Sequence, residues 1–549
     1  MVTNSKIGAN GNTATIGKNG ANGNIGTIRK RSRSQKFRTN VLGRPQGVIQ
    51  ARVQAVGPEK FGVVAIDCAK VRSKWMLADF YGKVLCQPTV VEHNRSAFDL
   101  AVLTLKQAVE KHGLKDLIVA VEMTGTFHKP PMRAFRKAGY ETRLVHPFAS
   151  SFYRQPEHGD DKTDDNDLSA IFRAAVNGFG LLEKPIDPTF QQLQILARHR
   201  RDLVRKRAKL QCQIRHHLEL TLPGFAALFP DDELWSQATP VPLLEVIAER
   251  GGTVDVLRNA GQKGITQWLA TARVRAHSKT IERITVWAAN AAESDPMAAF
   301  HTRVWLSQLT DWKQKTQQIL EAERDSAGLL AKTPYVLLLS HPGINVISAA
   351  ELAGEMGPIE NYASSKAVCG RAGLFPSRYQ SDEVDRGGKL TRFRNARLRA
   401  AWMMVADNML KCNMYWMKKA EKWRRDGHKP QDLRARVANR LTRSVFQMVA
   451  GREIYRHASR LDRGYVMDKL LAFHREHHTS PAVIVRDLKQ AAEQLPKSCQ
   501  PEERTRLQEA ALKAQRSRQK GPQELGTLLV AVLARLGVAA KDNDTLEST

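Results

Sequence analysis

Two short apolar runs constrain this chain more than any other feature, because each ends on an acid. Gly62–Asp67 reads GVVAID and Leu117–Glu122 reads LIVAVE. Runs of this length and composition suit buried strands. Further strand-like segments lie at Lys74–Asp79, Lys83–Gln87 and Thr142–His146. Helical periodicity marks Ser96–His112, Pro131–Ala138 and Asp164–Val176. Strands alternating with helices predict an α/β domain with a mixed sheet over residues 61–180.

The rest of the chain reads differently. Residues 1–60 carry GANGN twice, with 11 basic residues and one acid, and form an expected disordered basic tail. Residues 181–335 are mainly helical. Leu196, Leu203 and Leu210 repeat by seven, flanked by Leu193 and Ile214, and Trp305, Leu309, Trp312, Thr316 and Ile319 alternate by four and three. Both are coiled-coil seams, which either pair antiparallel or join protomers. Between them Pro223, Pro230, Pro240 and Gly251-Gly252 predict a looser helical insertion at about 225–300. Residues 336–475 read as a second compact, helical unit. Residues 476–549 read as a charged helical tail with one apolar stretch, Leu525–Leu536.

Charge narrows the function. The chain has 549 residues and a formal charge of +30, with a pI near 10.0. Such an excess points to a polyanionic partner, because Lys and Arg bind phosphates while releasing condensed counterions. The six cysteines are scattered, with no ligand-like spacing, so a disulfide framework or zinc site is not expected. The longest apolar stretch is broken by Arg535 and Gly537, so no membrane span is expected, and the reading is a cytoplasmic, nucleoid-associated bacterial protein.

Against this basic background the acids stand out. Asp67 and Glu122 end strands, and Asp164 and Asp167 lie one helical turn apart, within a segment that also holds Asp160, Asp161 and Asp165. Convergent carboxylates need compensation, which hard divalent cations supply, and two Mg²⁺ ions about 3.5–4 Å apart could polarise a phosphodiester. A capping role for Asp164 is the alternative. Ser381 sits in a loop-like segment near Arg378, Arg386 and Lys389. Nearby cations would support attack on a phosphate, although by spacing alone such a serine is ordinarily a turn hydrogen-bonder.

His341-Pro342-Gly343-Ile344 precedes a helix and reads either as a phosphate-receiving helix N-terminus or as an ordinary turn and cap. Arg198, Arg200, Arg201, Arg205, Lys206, Arg207 and Lys209 place seven cations in 12 residues, a candidate backbone-binding face. A second basic segment, at 411–443, includes Arg436 and Arg440.

Taken together, the motifs resemble the DEDD-type transposases of the insertion-sequence one-ten family, bridge-RNA-guided recombinases of mobile elements. The resemblance rests on Ala65-Ile66-Asp67-Cys68-Ala69-Lys70, Val121-Glu122-Met123-Thr124-Gly125-Thr126, Lys162-Thr163-Asp164 with Asp167, Pro342-Gly343-Ile344, Gly373-Leu374-Phe375-Pro376 and Arg378-Tyr379-Gln380-Ser381. It covers roughly 61–180 and 336–450.

The resemblance implies a RuvC-like (ribonuclease H-type) α/β domain, a coiled coil and a helical C-terminal transposase domain. It implies Mg²⁺, with Mn²⁺ able to substitute, held by Asp67, Glu122, Asp164 and Asp167, and Ser381 as nucleophile. It further implies DNA as substrate, a noncoding guide RNA, and homodimers that pair into a tetramer. The chain departs from the family in its added segments and in Arg394-Asn395, where members often have Gly-Asn. A hydrolytic junction resolvase and a non-enzymatic nucleic-acid scaffold are the competing readings.

Overall fold

The computed structural model describes residues 47–158, 161–183, 187–230, 233–236, 238–381, 384–455 and 464–496. Expectations for residues 1–46, Asp160 and 497–549, with Leu525–Leu536, lie outside these. The described residues up to 183 form one compact unit, and those from 187 onward form another.

The first unit is a six-stranded mixed sheet. Its strands are β1 (Phe61–Cys68), β2 (Arg72–Asp79), β3 (Val84–Glu92), β4 (Asp116–Glu122), β5 (Thr142–Val145) and β6 (Gly180–Leu182), in the order β3-β2-β1-β4-β5-β6. β1 runs antiparallel to β2 and parallel to β4, and β4 runs parallel to β5. Its helices are α1 (Gln50–Val56), α2 (Arg95–His112), α3 (Lys129–Lys137), α4 (Pro147–His158) and α5 (Asp164–Ala174).

Both faces of the sheet are covered, which is why β1 and β4 read as continuous apolar runs. Val64, Ile66, Val119 and Val121 pack with Phe98, Leu105 and Phe135 of α2 and α3. Phe61, Val63, Ala65, Ile118 and Ala120 pack with Ala149, Leu168 and Ile171 of α4 and α5.

Helix α1 falls in the segment expected to be tail. Ile49 and Val53 are buried there, and Arg52 pairs with Asp116 at 2.6 Å and with Glu141 at 2.7 Å. The basic composition of the stretch concealed these anchors.

The second unit begins with two 34-residue helices, α6 (Pro188–Thr221) and, after α7 (Pro240–Ala248), α8 (Val254–Thr271) and α9 (Ser278–Asn290), α10 (Ala298–Ala331). The seams pair with each other and run antiparallel. Arg200 meets Glu323 near one end and His217 meets His301 near the other. Leu193, Ala197, Leu203, Ile214 and Leu218 are buried on α6, whereas Leu196 and Leu210 are only half-buried. A straight helix drifts against a strict seven-residue repeat, so the inward line shifts. The insertion is not loose: α7–α9 close on a core shared with Ile214, Trp305 and Trp312.

Beyond α10 come α11 (Val346–Met356), α12 (Ser365–Ala372), the hairpin β7 (Pro376–Ser381) and β8 (Val384–Leu390), and α13 (Ala396–Cys412). Then follow α14 (Met414–Arg425), α15 (Pro430–Ala450), α16 (Gly464–Glu476) and α17 (Pro481–Gln494). Gly354 lets α11 press on α6, since a Cβ there would lie 2.8 Å from the Gln194 backbone nitrogen. Helix α17 was expected to be tail, yet Ile484, Leu488 and Ala491 enter the same core as α11 and α13. Its apolar residues recur at i, i+4 and i+7, a helix-face pattern that its charged neighbours obscure.

Candidate active site

Side chains alternate across a strand, so position decides which face a carboxylate joins. Asp67 follows Phe61, Val63 and Ala65 onto the α4/α5 face, and Glu122 follows Ile118 and Ala120 onto the same face. Ile66 and Val121 are partners across the parallel pair, so the two acids sit side by side at the ends of neighbouring strands. Helix α5 supplies Asp164, exposed in its first turn, and Asp167, buried one turn on. Thr163, not Asp164, is the N-cap: its hydroxyl accepts from the Asn166 amide at 3.2 Å. Asp164 therefore keeps its carboxylate for other work. Asp161 accepts from the Asn166 side chain, and Asp165 pairs with Lys74 at 2.7 Å.

The acids act on one another. Burial, and then the negative charges of Glu122, Asp167 and Asp164, push the Asp67 carboxyl from 3.8 up to about 6. Carboxylates that act on one another in this way are the donor chemistry of a hard divalent cation. The individual groups are nevertheless held apart. Glu122 accepts from Ser150 and, at 3.2 Å, from Thr124, while Asp167 accepts from Arg154, with Lys162 at 4.0 Å. Among the described residues no three His, Cys, Asp or Glu side chains are gathered closely enough to hold a metal ion as placed.

Ser150 and Arg154 escaped the sequence reading, and they lie one turn apart on α4, the helix it missed. The signal was present: Pro147 follows directly on strand β5 and His146, a helix-start position.

Ser381 belongs to the other unit and ends β7. Every residue of β7 is exposed, and the hairpin is a two-stranded sheet of its own. Ser381 stands opposite Val384, and Tyr379, 63% exposed, stands opposite Arg386 on the same face. Arg378 pairs in register with Gly387, and Lys389 is exposed on β8. Ser377 donates across the hairpin to the Lys389 carbonyl at 3.1 Å.

The basic candidates divide. Arg198 makes two bonds to the buried Glu355, at 2.9 and 3.0 Å, and Arg201 bonds the buried Glu351 at 2.8 Å. These guanidinium groups are committed to carboxylates, because α11 and α10 place acids against that side of α6. Arg207 is half-buried, and burial holds its pKa down. Arg205 is exposed. Arg436 and Arg440 flank the Trp423 ring, at 6.0 and 4.6 Å from its centroid.

The turn at Gly343 leads into a capped helix. Asn345 and Ser348 form a capping box on α11, and Lys469 donates to the carbonyls of His341 and Ile344. Gly343 has φ +94°, and Met409 lies 3.1 Å from where a Cβ would sit.

A mixed sheet carrying clustered carboxylates, within a chain of +30 charge, is the equipment of an enzyme that works on nucleic acid. Two family models match the sequence: a DEDD-type transposase model over residues 64–223, and the model described as Transposase IS116/IS110/IS902 family over residues 335–421. The first span holds all four acids and the second holds Ser381. Over these two spans the chain matches the IS110 family of transposases. It is a DNA transposase, of a family generally dependent on a divalent metal. No curated protein matches the chain. No helix among the described residues is long and apolar enough to cross a membrane.

Proposed function

We propose that the chain cuts and rejoins the DNA of an insertion sequence through a covalent serine intermediate. Asp67, Glu122, Asp164 and Asp167 would hold Mg²⁺, or Mn²⁺ in its place, as a two-metal site. When bound, the cation would polarise the scissile phosphate and neutralise its developing charge. Ser381 Oγ would then bond to phosphorus as the bond to one sugar oxygen breaks, and that oxygen would leave as a hydroxyl after taking a proton. The phosphoester is retained on the protein, so a strand hydroxyl can later attack it, releasing Ser381 and sealing DNA without ATP.

The observation that carries this reading is the action of three acids on Asp67 at the ends of adjacent strands. The strand order supports a RuvC-like, ribonuclease H-type first unit. The exposed hairpin supports Ser381 as a reagent presented to a partner, because an isolated two-stranded ribbon is marginal in water. It also supports a site completed by a second protomer, in homodimers that pair into a tetramer. The exposed cations Arg205, Arg440 and Lys389 would bind DNA or an element-encoded guide RNA, the latter reading sequence by base pairing.

The test is recombination of a plasmid carrying the element ends by the protein with its co-purified RNA. Loss of joined product in both Asp67→Asn and Ser381→Ala supports the proposal. Cleavage that requires Asp67 but survives Ser381→Ala would make the enzyme a hydrolytic nuclease instead.

A further inference from the structure

The first unit contains a cation of its own among the acids. Arg154, on α4, places its guanidinium Nη1 on the Asp167 carboxylate, and its side chain is only 18% exposed. A second cation beside Asp167, Lys162, stands farther off at 4.0 Å and is 72% exposed. The hold is incomplete. The buried Nε of Arg154 finds no hydrogen-bond partner among the described residues, so the fork is not used as the bidentate clamp that makes Arg–carboxylate pairs strong. Among the described residues, Asp167 meanwhile contributes to no three-carboxylate group placed to hold a metal ion.

We propose that Arg154 is a built-in counter-ion that occupies the metal site of the unassembled protein and must be displaced from Asp167 before a divalent cation can bind there. The inference rests on the reading that the four acids hold a metal. A guanidinium compensates Asp167 while no metal is present, which limits the repulsion among the acids. The same contact makes metal entry a competition, because one carboxylate oxygen is already engaged by a positive charge. Metal loading is thereby weakened until another event draws Arg154 away; a DNA phosphate entering the site is the natural competitor for a guanidinium. Free protein would then bind metal poorly and leave DNA uncut away from assembled ends. Arg154 is in this sense a positioning and gating residue, since it acts through Asp167.

The experiment titrates the full-length protein with Mn²⁺ alone above neutral pH, following free Mn²⁺ by electron paramagnetic resonance. Wild type, Arg154→Met, Arg154→Lys and Asp67→Asn are compared, and circular dichroism checks their folding. Arg154→Met should bind Mn²⁺ about tenfold more tightly than wild type, because a unit positive charge beside a divalent ion has been removed. Arg154→Lys, which keeps the charge, should stay near wild type and remains informative if the Met variant does not fold, tighter binding there counting against the proposal. Unchanged or weaker binding in Arg154→Met, with binding still lost in Asp67→Asn, overturns the counter-ion role and leaves the metal reading standing. Absence of binding in wild type and Arg154→Met alike overturns the metal reading and the inference with it.

Discussion

Replacing Asp67 by Asn should stabilise the metal-free protein while abolishing its response to metal. The Asp67 carboxyl lies at about 6 instead of 3.8, through burial and the neighbouring acids. At about 1.4 kcal/mol per unit, that displacement corresponds to about 3 kcal/mol favouring the protonated form. Because the folded pKa is raised, the folded protein holds more protons than the unfolded chain between 3.8 and about 6. Stability therefore falls as pH rises through this window, and the full penalty is present above it.

An amide keeps the shape and discards the charge, though it still has to be desolvated. The expected gain above neutral pH is thus about 1–3 kcal/mol, or roughly 3–10 °C in melting temperature for a domain of this size. The assay is differential scanning calorimetry in chelator, above neutral pH and again near the lower edge of the window, where the gain should shrink. Added Mg²⁺ or Mn²⁺ should raise the melting temperature of wild type and not of Asp67→Asn. An Asp67→Asn protein that melts at or below wild type in chelator would refute the mutual repulsion of these acids.

Arg198→Ala should cost about 2–3 kcal/mol in urea unfolding, since it strands the buried Glu355. Arg205→Ala should change stability by less than about 0.5 kcal/mol while weakening DNA binding and its salt dependence. His477 has a raised pKa: burial lowers it, and the 2.7 Å contact with Glu323 outweighs that. Its stabilising contribution is therefore complete below the ordinary histidine range and lost as pH rises through the raised value. His477→Gln should flatten that part of the stability–pH curve of the second unit, and an unaltered slope would assign it to other groups. Gly354→Ala should destabilise the α6–α11 contact by about 1–3 kcal/mol, because its Cβ meets backbone rather than a movable side chain.

The sheet of the first unit was legible because β1 and β4 are buried on both faces, which leaves an unbroken apolar signature ending in Asp67 and Glu122. Helix α4 was not, since Phe148-Ala149-Ser150-Ser151-Phe152 mixes exposed aromatics with small residues and its inward face is narrow. With α4 went Ser150 and Arg154, the residues that orient Glu122 and Asp167. The charge of α6 was visible, but its direction was not. Arg198 and Arg201 point at Glu355 and Glu351 about 150 residues away, and a one-dimensional count cannot separate an inward cation from a solvated one. Helix α1 and the docking of α17, expected only as a helical tail, were hidden for the same reason: charged neighbours mask a few apolar anchors whose partners are distant in sequence.

The most direct measurement is to identify the residue joined to DNA. The protein is incubated with its co-purified RNA, Mg²⁺ and DNA carrying the element ends, the DNA is digested to a nucleotide stub, and tryptic peptides are read by mass spectrometry. A nucleotidyl phosphate on Ser381, absent from Ser381→Ala and from Asp67→Asn, is the predicted result. Cleaved DNA with no protein-linked nucleotide, or a stub on another residue, would contradict it.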